Sequence, residues 1–245
     1  MKYFDKQAYF SLLQQLKNSN FKFVTNSTES DFKRILLRHD VDYDLNSALI
    51  MAEKEHEMGV KAVYLVRIEN ELINVLSRTN LECLRRIASL NHEIGIHYEY
   101  GTSLLNVESC IEIKTHLLGK EPTHISFHKP TKFALPDTKT SLLIDLNSQE
   151  YIIDFKYISD SGMKWRQNLE DVIETENSIH LLIHPEFWVQ NKKVGYKRVL
   201  KKIERRIRYE IAKNVKLEIH DITNSIKKRE SVDTVIYTAM QKRNQ

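Results

Sequence analysis

The sequence predicts an α/β fold built on a mostly parallel sheet, either open or closed into a barrel. Short apolar runs of strand length alternate with amphipathic segments of about ten to fifteen residues, as in successive β–α units. Several apolar runs end in Asp or His, which is typical of parallel sheets that carry reactive groups at the carboxyl ends of their strands. The 245 residues suit one barrel-sized domain, and 41% hydrophobic residues can build its core.

The individual elements follow from hydrophobic periodicity and from the residues that end helices. The spacing of apolar residues predicts helices over 5–18, 47–58, 81–90, 104–118 and 196–213. Apolar runs predict strands over 34–40, 60–66, 93–97, 124–128, 151–158 and 179–184. We expect a single domain over 1–245, with a helical N-terminal extension over 1–32 and a basic helix and mixed tail over 192–245.

Several function classes are disfavoured by what the sequence lacks. It has no P-loop, no Gly-rich dinucleotide turn and no Gly-x-Ser-x-Gly elbow, which argues against kinases, dehydrogenases and serine hydrolases. No apolar run is long enough for a membrane span, and the N-terminus does not resemble a signal peptide. Cys83 and Cys110 lie in helix-like apolar segments, which indicates reduced thiols and a cytoplasmic protein.

The net charge of +4 is unevenly distributed, because basic residues are dense over 192–208. Two interpretations remain open. The segment is the solvated side of an amphipathic helix, or it is a patch for anionic partners such as phosphate-bearing substrates or a membrane surface. Nothing indicates nucleic-acid binding, since zinc-finger spacing and aromatic-interleaved basic strands are absent.

The run Arg38-His39-Asp40-Val41-Asp42 carries the strongest signal of chemistry. It follows an apolar strand, and Asp40 and Asp42 would face the same side of that strand. One carboxylate can bind a metal while the other handles protons. The alternative is helix capping, for which Asp44 is better placed because it lies nearer the next helix.

Three histidines end later strands and are further candidates. His97 and His128 are plausible metal ligands, and His184 is suited to acid or base catalysis near neutral pH. Four neighbouring residues have candidate substrate or positioning roles: Lys129 for an oxyanion or carboxylate, Asp160 for orienting a histidine or binding substrate, Arg166 for a carboxylate, and Trp188 for stacking on a sugar. Ordinary core packing is an equal alternative for Trp188.

The ordered set of motifs resembles the polysaccharide deacetylases, carbohydrate esterase family four, and most of all their divergent branch in surface-polysaccharide assembly. The matching motifs are Arg38–Asp42, His92–His97, Ser126–Pro130 and Ile183–Pro185. The resemblance implies a distorted (β/α) barrel of about seven parallel strands with a divalent metal at the strand ends. It assigns Asp40 as catalytic base, Asp42 and His97 as metal ligands, and His184 as general acid.

The sequence departs from the family where a second histidine of the His97 motif is expected, because that position is Gly101. His128 is the first choice for the missing ligand, with His39, otherwise assigned to substrate binding, or Glu99 behind it. Zinc is the default ion for such a site, although Co, Ni, Mn and Fe also suit these ligands.

The implied activity is removal of an N-acyl group, acetyl in the first instance, from an amino sugar or sugar precursor. In the cytoplasm the substrate would be a nucleotide-linked or lipid-linked sugar. A deformylase or ureide hydrolase, and an inactive sugar-binding or scaffolding relative, are the alternatives. The oligomeric state is left open, with a homo-oligomer among the expected outcomes.

Overall fold

The computed structural model describes residues 4–28, 33–70, 72–99, 105–129, 143–189 and 196–243. The chain divides into two compact units, Met1–Val199 and Leu200–Gln245. The first contains the sheet and the candidate site. The second consists of the larger part of one long helix. None of the described helices is long and apolar enough to cross a membrane.

The first unit is built on a sheet in which every pair of neighbouring strands is parallel. Its strands are β1 (Lys22–Val24), β2 (Arg34–Val41), β3 (Val63–Val66), β4 (Glu93–Tyr98), β5 (His124–Phe127), β6 (Ile144–Asp145), β7 (Lys156–Ser159) and β8 (Ser178–Ile183). Seven of them form one path in the order β6-β5-β4-β3-β2-β8-β7, and β1 pairs with β2 beside that path.

Strand β2 is the centre of the sheet, and all its residues after Arg34 are buried. It pairs with β8 along one side, while β1 and β3 share the other side, β1 at 34–36 and β3 at 38–41. The sheet is curled, and among the described residues no strand pairing joins its two end strands, β6 and β7. The barrel is therefore open between them. The predicted distorted (β/α) barrel of about seven parallel strands is therefore confirmed.

Helices follow most of the strands and are stopped by the residues expected from the sequence. They are α1 (Lys6–Asn18), α2 (Leu45–Glu57), α3 (Arg78–Ser89), α4 (Val107–Leu118), α5 (Leu169–Thr175), α6 (Pro185–Trp188) and α7 (Tyr196–Arg243). The Asp44 side chain accepts a hydrogen bond from the backbone N–H of Asn46 and caps α2. Gly119 ends α4 with a positive φ of 68°.

A closely packed core supports the strands that carry the site. Inside the barrel, apolar side chains of β2 and β3 pack against Leu146, Tyr151 and Phe155. At Gly95 of β4, a Cβ atom would lie 2.6 Å from the carbonyl oxygen of His124 and would also overlap the Leu65 side chain. Glycine at this position therefore allows β4 to lie close to both neighbouring strands.

Two predicted elements differ from the structure. The strand predicted over 151–158 is a π-helical turn, Glu150–Asp154, followed by the shorter strand β7. The apolar residues of this turn pack into the barrel or lie at the surface, so an apolar run alone did not identify a strand. The helix predicted over 196–213 continues to Arg243 in place of the mixed tail, since no proline or glycine interrupts it.

Candidate metal centre and active site

Polar side chains from five strands meet at the carboxyl edge of the sheet. They are Asp40 and Asp42 from β2, His97 from β4, His128 from β5, Asp160 from β7 and His184 from β8. Because the strands are parallel, each one delivers its last residues to the same edge. Strand β8 pairs directly with β2, and His184 Nε2 therefore lies 3.8 Å from Asp42 Oδ2.

The alternation of side chains along β2 separates the residues of this site from their neighbours. Arg38, Asp40 and Asp42 are two residues apart and point into the barrel, where each is at least 95% buried. His39 lies between them and points to the opposite face. A register shift of one residue would reverse this arrangement, so the pairing with β3 and β8 is what fixes the site.

Asp42, His97 and His128 form a compact cluster of metal-ligand atoms. His97 Nε2 lies 3.2 Å from His128 Nδ1 and 3.5 Å from Asp42 Oδ1, and His128 Nδ1 lies 3.3 Å from the same carboxylate oxygen. A tetrahedral ion bound at ~2.1 Å separates its ligands by roughly 3.4 Å. The three atoms therefore have nearly the spacing that a tetrahedral divalent ion requires.

Two further features fit a metal at this cluster. Asp42 Oδ1 is buried and has no hydrogen-bond partner among the described residues, although it faces both histidines. His97 Nδ1 is 2.8 Å from Ser126 Oγ on β5, which fixes the ring orientation and leaves Nε2 towards the cluster. Burial lowers the pKa of His97 to about 4, so the ring is neutral and its nitrogen is available as a ligand at neutral pH.

Asp40 lies beside the cluster and is held by Arg38 from the same strand. The guanidinium donates from Nε to Oδ1 at 2.7 Å and from Nη2 to Oδ2 at 2.8 Å. Burial by itself would raise the pKa of Asp40, but Arg38 and His97 outweigh it, and the pKa lies well below its usual range. Asp40 is therefore an oriented carboxylate at neutral pH, with Oδ2 3.6 Å from His97 Nε2.

His184 is held from behind by Asp160. Asp160 Oδ1 is 2.5 Å from His184 Nδ1, while Oδ2 accepts hydrogen bonds from the His184 backbone N–H and from the Trp188 indole N–H. Burial would lower the pKa of His184, but the buried Asp160 carboxylate outweighs it and raises the pKa to about 10. The ring is therefore an imidazolium whose Nε2 faces the metal cluster.

Three residues that the sequence suggested for substrate binding are fully buried in contacts with other side chains. His39 is fully buried on the outer face of the sheet, where Nε2 is 2.8 Å from Glu55 Oε1. This corrects its assignment, because its ring cannot reach the barrel interior. Trp188 is fully buried and packs against Phe4, Tyr9 and Trp165, which is the core-packing alternative. Asp160 is buried behind His184 and serves to orient it, the other role that the sequence suggested.

Lys129 and Arg166 are both exposed. Lys129 directly follows His128 and has a positive φ of 48°, at the rim of the cluster. Arg166 lies in the loop between β7 and α5. Gly101 lies outside the described residues. Glu99, the other substitute ligand considered, forms an ion pair with Arg67.

Sequence reasoning missed three residues of the site. Arg38 was predictable, since strand alternation places it on the face of Asp40. Strand alternation likewise places Ser126 on the face of His128, two residues later. Serine is too common a residue for this position alone to have indicated a role in the site. Glu186 follows His184 by two residues and is almost completely buried, and burial raises its pKa well above the usual value. Glu186 lies in the short helix α6, and no sequence pattern indicated that it would be buried.

The sequence matches no family model and no curated protein. Solved structures with a similar fold include a family 4 carbohydrate esterase from Bacillus anthracis, with 16% identity over 82% of this chain and 86% of that chain and a TM-score of 0.44. The catalytic domain of a peptidoglycan N-acetylglucosamine deacetylase from Eubacterium rectale has 16% identity, 76% and 89% coverage and a TM-score of 0.46.

A family 4 pseudoenzyme from Bacillus anthracis is similar at 13% identity, with 74% and 63% coverage and a TM-score of 0.41. Likeness at this level establishes neither a family nor an activity for this chain. Function therefore depends on the residues of the site.

Proposed function

We propose that this chain is a metal-dependent hydrolase that removes an N-acyl group, acetyl in the first instance, from an amino sugar. The observation that carries the proposal is the convergence of three metal-ligand atoms, an ionised carboxylate and an imidazolium at one edge of the sheet. Metal-assisted amide hydrolysis needs each of these parts.

Asp42, His97 and His128 would hold the ion, with zinc as the first choice for one carboxylate and two imidazoles. A bound divalent ion supplies Lewis-acid polarisation of the amide carbonyl and lowers the pKa of water. Ser126 and the strand pairing between β4 and β5 keep the two histidines at the observed spacing.

Asp40 would accept the proton of the attacking water. The two hydrogen bonds from Arg38 fix the plane of its carboxylate and keep it ionised. The same pairing makes Asp40 a weak base. Arg38 therefore orients the Asp40 carboxylate but lowers its affinity for a proton. Asp40 is thus suited to a water whose own pKa is already lowered.

His184 would donate a proton to the leaving amine. Its imidazolium is stabilised by Asp160 at Nδ1, which directs the Nε2 proton towards the cluster. The carboxylate base on β2 and the histidine acid on the neighbouring β8 both lie close to the proposed ligands, with Asp40 Oδ2 3.6 Å from His97 Nε2 and His184 Nε2 3.8 Å from Asp42 Oδ2.

The sugar substrate and its setting rest on the resemblance of the motifs to polysaccharide deacetylases. We propose a nucleotide-linked or lipid-linked amino sugar used in surface-polysaccharide assembly in the cytoplasm. A deformylase or ureide hydrolase would use the same groups, so a panel of N-acetyl, N-formyl and ureido compounds distinguishes these activities.

The metal is tested first, on purified full-length protein. We expect about one divalent ion per chain by elemental analysis, lost in Asp42→Ala and His97→Ala. His220→Ala, which removes an exposed histidine of α7, is the matched control and should retain the ion. If the wild type takes up none of Zn, Co, Ni, Mn or Fe, the hydrolase proposal fails.

Activity is tested next on the metal-loaded protein with the N-acyl panel. Asp40→Asn and His184→Gln should each lower kcat by about 10²–10⁴-fold, as expected for loss of a proton-transfer group, while keeping the metal. Asp154→Asn, at an exposed carboxylate, should leave kcat unchanged. Stoichiometric metal without hydrolysis of any panel member would instead support an inactive sugar-binding relative.

A further inference from the structure

Arg67 directly follows β3, the strand that lies between β2 and β4 in the sheet. Strand β3 pairs with both neighbours in register up to Val66, and the residues one position further along the three strands are Asp42, Arg67 and His97. Because neighbouring strands are about 4.8 Å apart, the Arg67 backbone lies next to two of the proposed metal ligands. The steps of the proposed hydrolysis do not use this arginine.

The side chain of Arg67 lies on the inner face of the barrel wall. Leu65, two residues earlier, belongs to the core cluster inside the barrel. Ile68, the next residue, packs against a different cluster that includes residues of α4. Strand alternation therefore places Arg67 on the inner face, which also carries His97. Only 13% of the Arg67 side chain is exposed.

The guanidinium of Arg67 uses few of its hydrogen-bond donors. Its Nη2 donates to Oε2 of Glu99, and among the described residues this is its one hydrogen bond. Its Nε is buried without a partner in that part of the chain, and Nη1 has none there either but is not fully buried. Arg38, by contrast, binds both oxygens of Asp40 through Nε and Nη2. A nearly buried cation with open donors indicates a ligand, because buried polar groups almost always have partners.

A purely structural ion pair between the ends of β3 and β4 explains this arrangement less well. An arginine that only ties two strands together gains most from a two-pronged pair with a carboxylate, and Glu99 supplies a single contact. Glu69 follows Arg67 by two residues, but its Oε2 accepts a hydrogen bond from the Leu105 backbone N–H. The planar guanidinium with open donors instead matches the geometry of a phosphate or a carboxylate.

We propose that Arg67 binds an oxyanion of the substrate, a phosphate or carboxylate attached to the N-acyl amino sugar, while Glu99 orients the guanidinium. This rests on the proposed function, in which the amide of that sugar is hydrolysed at the cluster containing Asp42 and His97. Arg67 stands between these two ligands in the sheet, so the anionic group would lie close to the reacting amide. The enzyme would therefore select a charged amino sugar over a neutral one.

The charges around Arg67 permit an anion at this position. The Glu99 side chain is 30% exposed, so solvent screens it and it compensates the charge of Arg67 only in part. A divalent ion held by Asp42 would offset the charge of that carboxylate. Lys129 and Arg166 are exposed, so fixing either side chain on an anion would cost more conformational entropy than using the nearly buried Arg67.

Binding is measured by isothermal titration calorimetry on the metal-loaded full chain, so that no turnover is needed. The probes are N-acetylglucosamine, which is neutral, its 1-phosphate, and N-acetylmuramic acid, which carries a carboxylate. The wild type should bind at least one charged probe about 10- to 100-fold more tightly than the neutral sugar, as expected for charge-assisted hydrogen bonds. The charged probe that binds more tightly identifies phosphate or carboxylate as the recognised group.

Variants of the pair should change the affinity for the charged probe in opposite directions. Arg67→Met should lower it to the affinity for the neutral sugar, and Arg67→Lys, which keeps the charge but loses the planar fork, should be intermediate. Glu99→Gln should raise it, because the carboxylate no longer competes for Nη2. Arg78→Met is the matched control, since the Arg78 side chain is 92% exposed, and should bind all probes as the wild type does. The Tm measured by tryptophan fluorescence shows that each variant is folded.

Three outcomes would overturn the proposal: a wild type that does not prefer a charged probe, a preference that survives Arg67→Met, or weaker binding of the charged probe by Glu99→Gln. A preference lost in Lys129→Met but kept in Arg67→Met would assign the anion to the exposed lysine instead. Metal content and turnover of the N-acyl panel decide the hydrolase separately. An enzyme that binds and hydrolyses neutral and charged sugars equally would keep the proposed function and lose the role of Arg67.

Discussion

Arg38 and Asp40 form a buried ion pair within a single strand, and Arg38 helps to hold the pKa of Asp40 below its usual range. Removing one partner leaves the other charge buried and unpaired, which costs about 3–5 kcal/mol. We therefore expect Arg38→Met to lower the free energy of unfolding by about that amount, measured by denaturant titration of the metal-free protein. Arg38→Met with Asp40→Asn should be less destabilising than Arg38→Met alone, because no isolated charge remains.

Arg78→Met is the control for loss of an arginine, since the Arg78 side chain is 92% exposed in its pair with Glu82 and should contribute little. Equal destabilisation by the single and double variants at Arg38 and Asp40 would contradict the interpretation. It would mean that Arg38 stabilises the core through packing of its aliphatic part.

At the residue scale, strand alternation was sufficient to predict Asp40 and Asp42 on one face and the strand-end histidines around them. The predicted substrate-binding role of His39 did not take this alternation into account. Strand alternation places its side chain on the face of the sheet opposite to Asp40. Trp188 could not be assigned from sequence, since an aromatic residue after a buried strand is equally common in a core and in a binding wall. Its burial depends on α1, which lies far away in the chain.

At the element scale, Lys114 joins α4 to β4. The lysine is fully buried, and its ammonium donates a hydrogen bond to the carbonyl oxygen of Gly95, two residues before His97. Burial lowers its pKa from the usual value of 10.5 to about 7. Between these two pH values the unfolded chain binds the proton and the folded chain does not, so stability rises with pH across this window.

We expect the free energy of unfolding of the wild type, relative to Lys114→Met, to increase by up to a few kcal/mol between about pH 7 and pH 10.5, since one pKa unit corresponds to about 1.4 kcal/mol. Denaturant titrations of both proteins at several pH values measure this difference. Lys120→Met, at a surface lysine of the same region, should track the wild type. A constant difference between wild type and Lys114→Met would show that Lys114 keeps its ordinary pKa.

Most elements were predictable because their periodicity is strong and their ends carry Asp, Ser, Asn or Gly caps. Strands β1 and β6 were not, since segments of three and two residues carry no periodicity of their own. The π-helical turn at 150–154 imitates a strand because Tyr151, Ile152 and Ile153 are consecutive apolar residues. Only packing of Tyr151 against the barrel core distinguishes the two structures.

At the scale of the whole molecule, the proposed metal ties together segments that are far apart in the chain. Its ligands come from β2, β4 and β5, so an ion bound only by the folded barrel must stabilise the whole sheet. At an ion concentration about 1,000 times Kd the added stability is about 4 kcal/mol. For a unit of this size we expect a rise in Tm of about 10 °C.

Tryptophan fluorescence isolates this effect, because both tryptophans, Trp165 and Trp188, belong to the first unit and none lies in the long helix. Zinc should raise the fluorescence Tm of the wild type and of His220→Ala, and leave that of Asp42→Asn unchanged. Should Asp42→Asn respond like the wild type, the ion would be binding elsewhere. The strand ends would then be a polar cluster without a metal, and Asp40 and His184 would lack the partner that their proposed roles require.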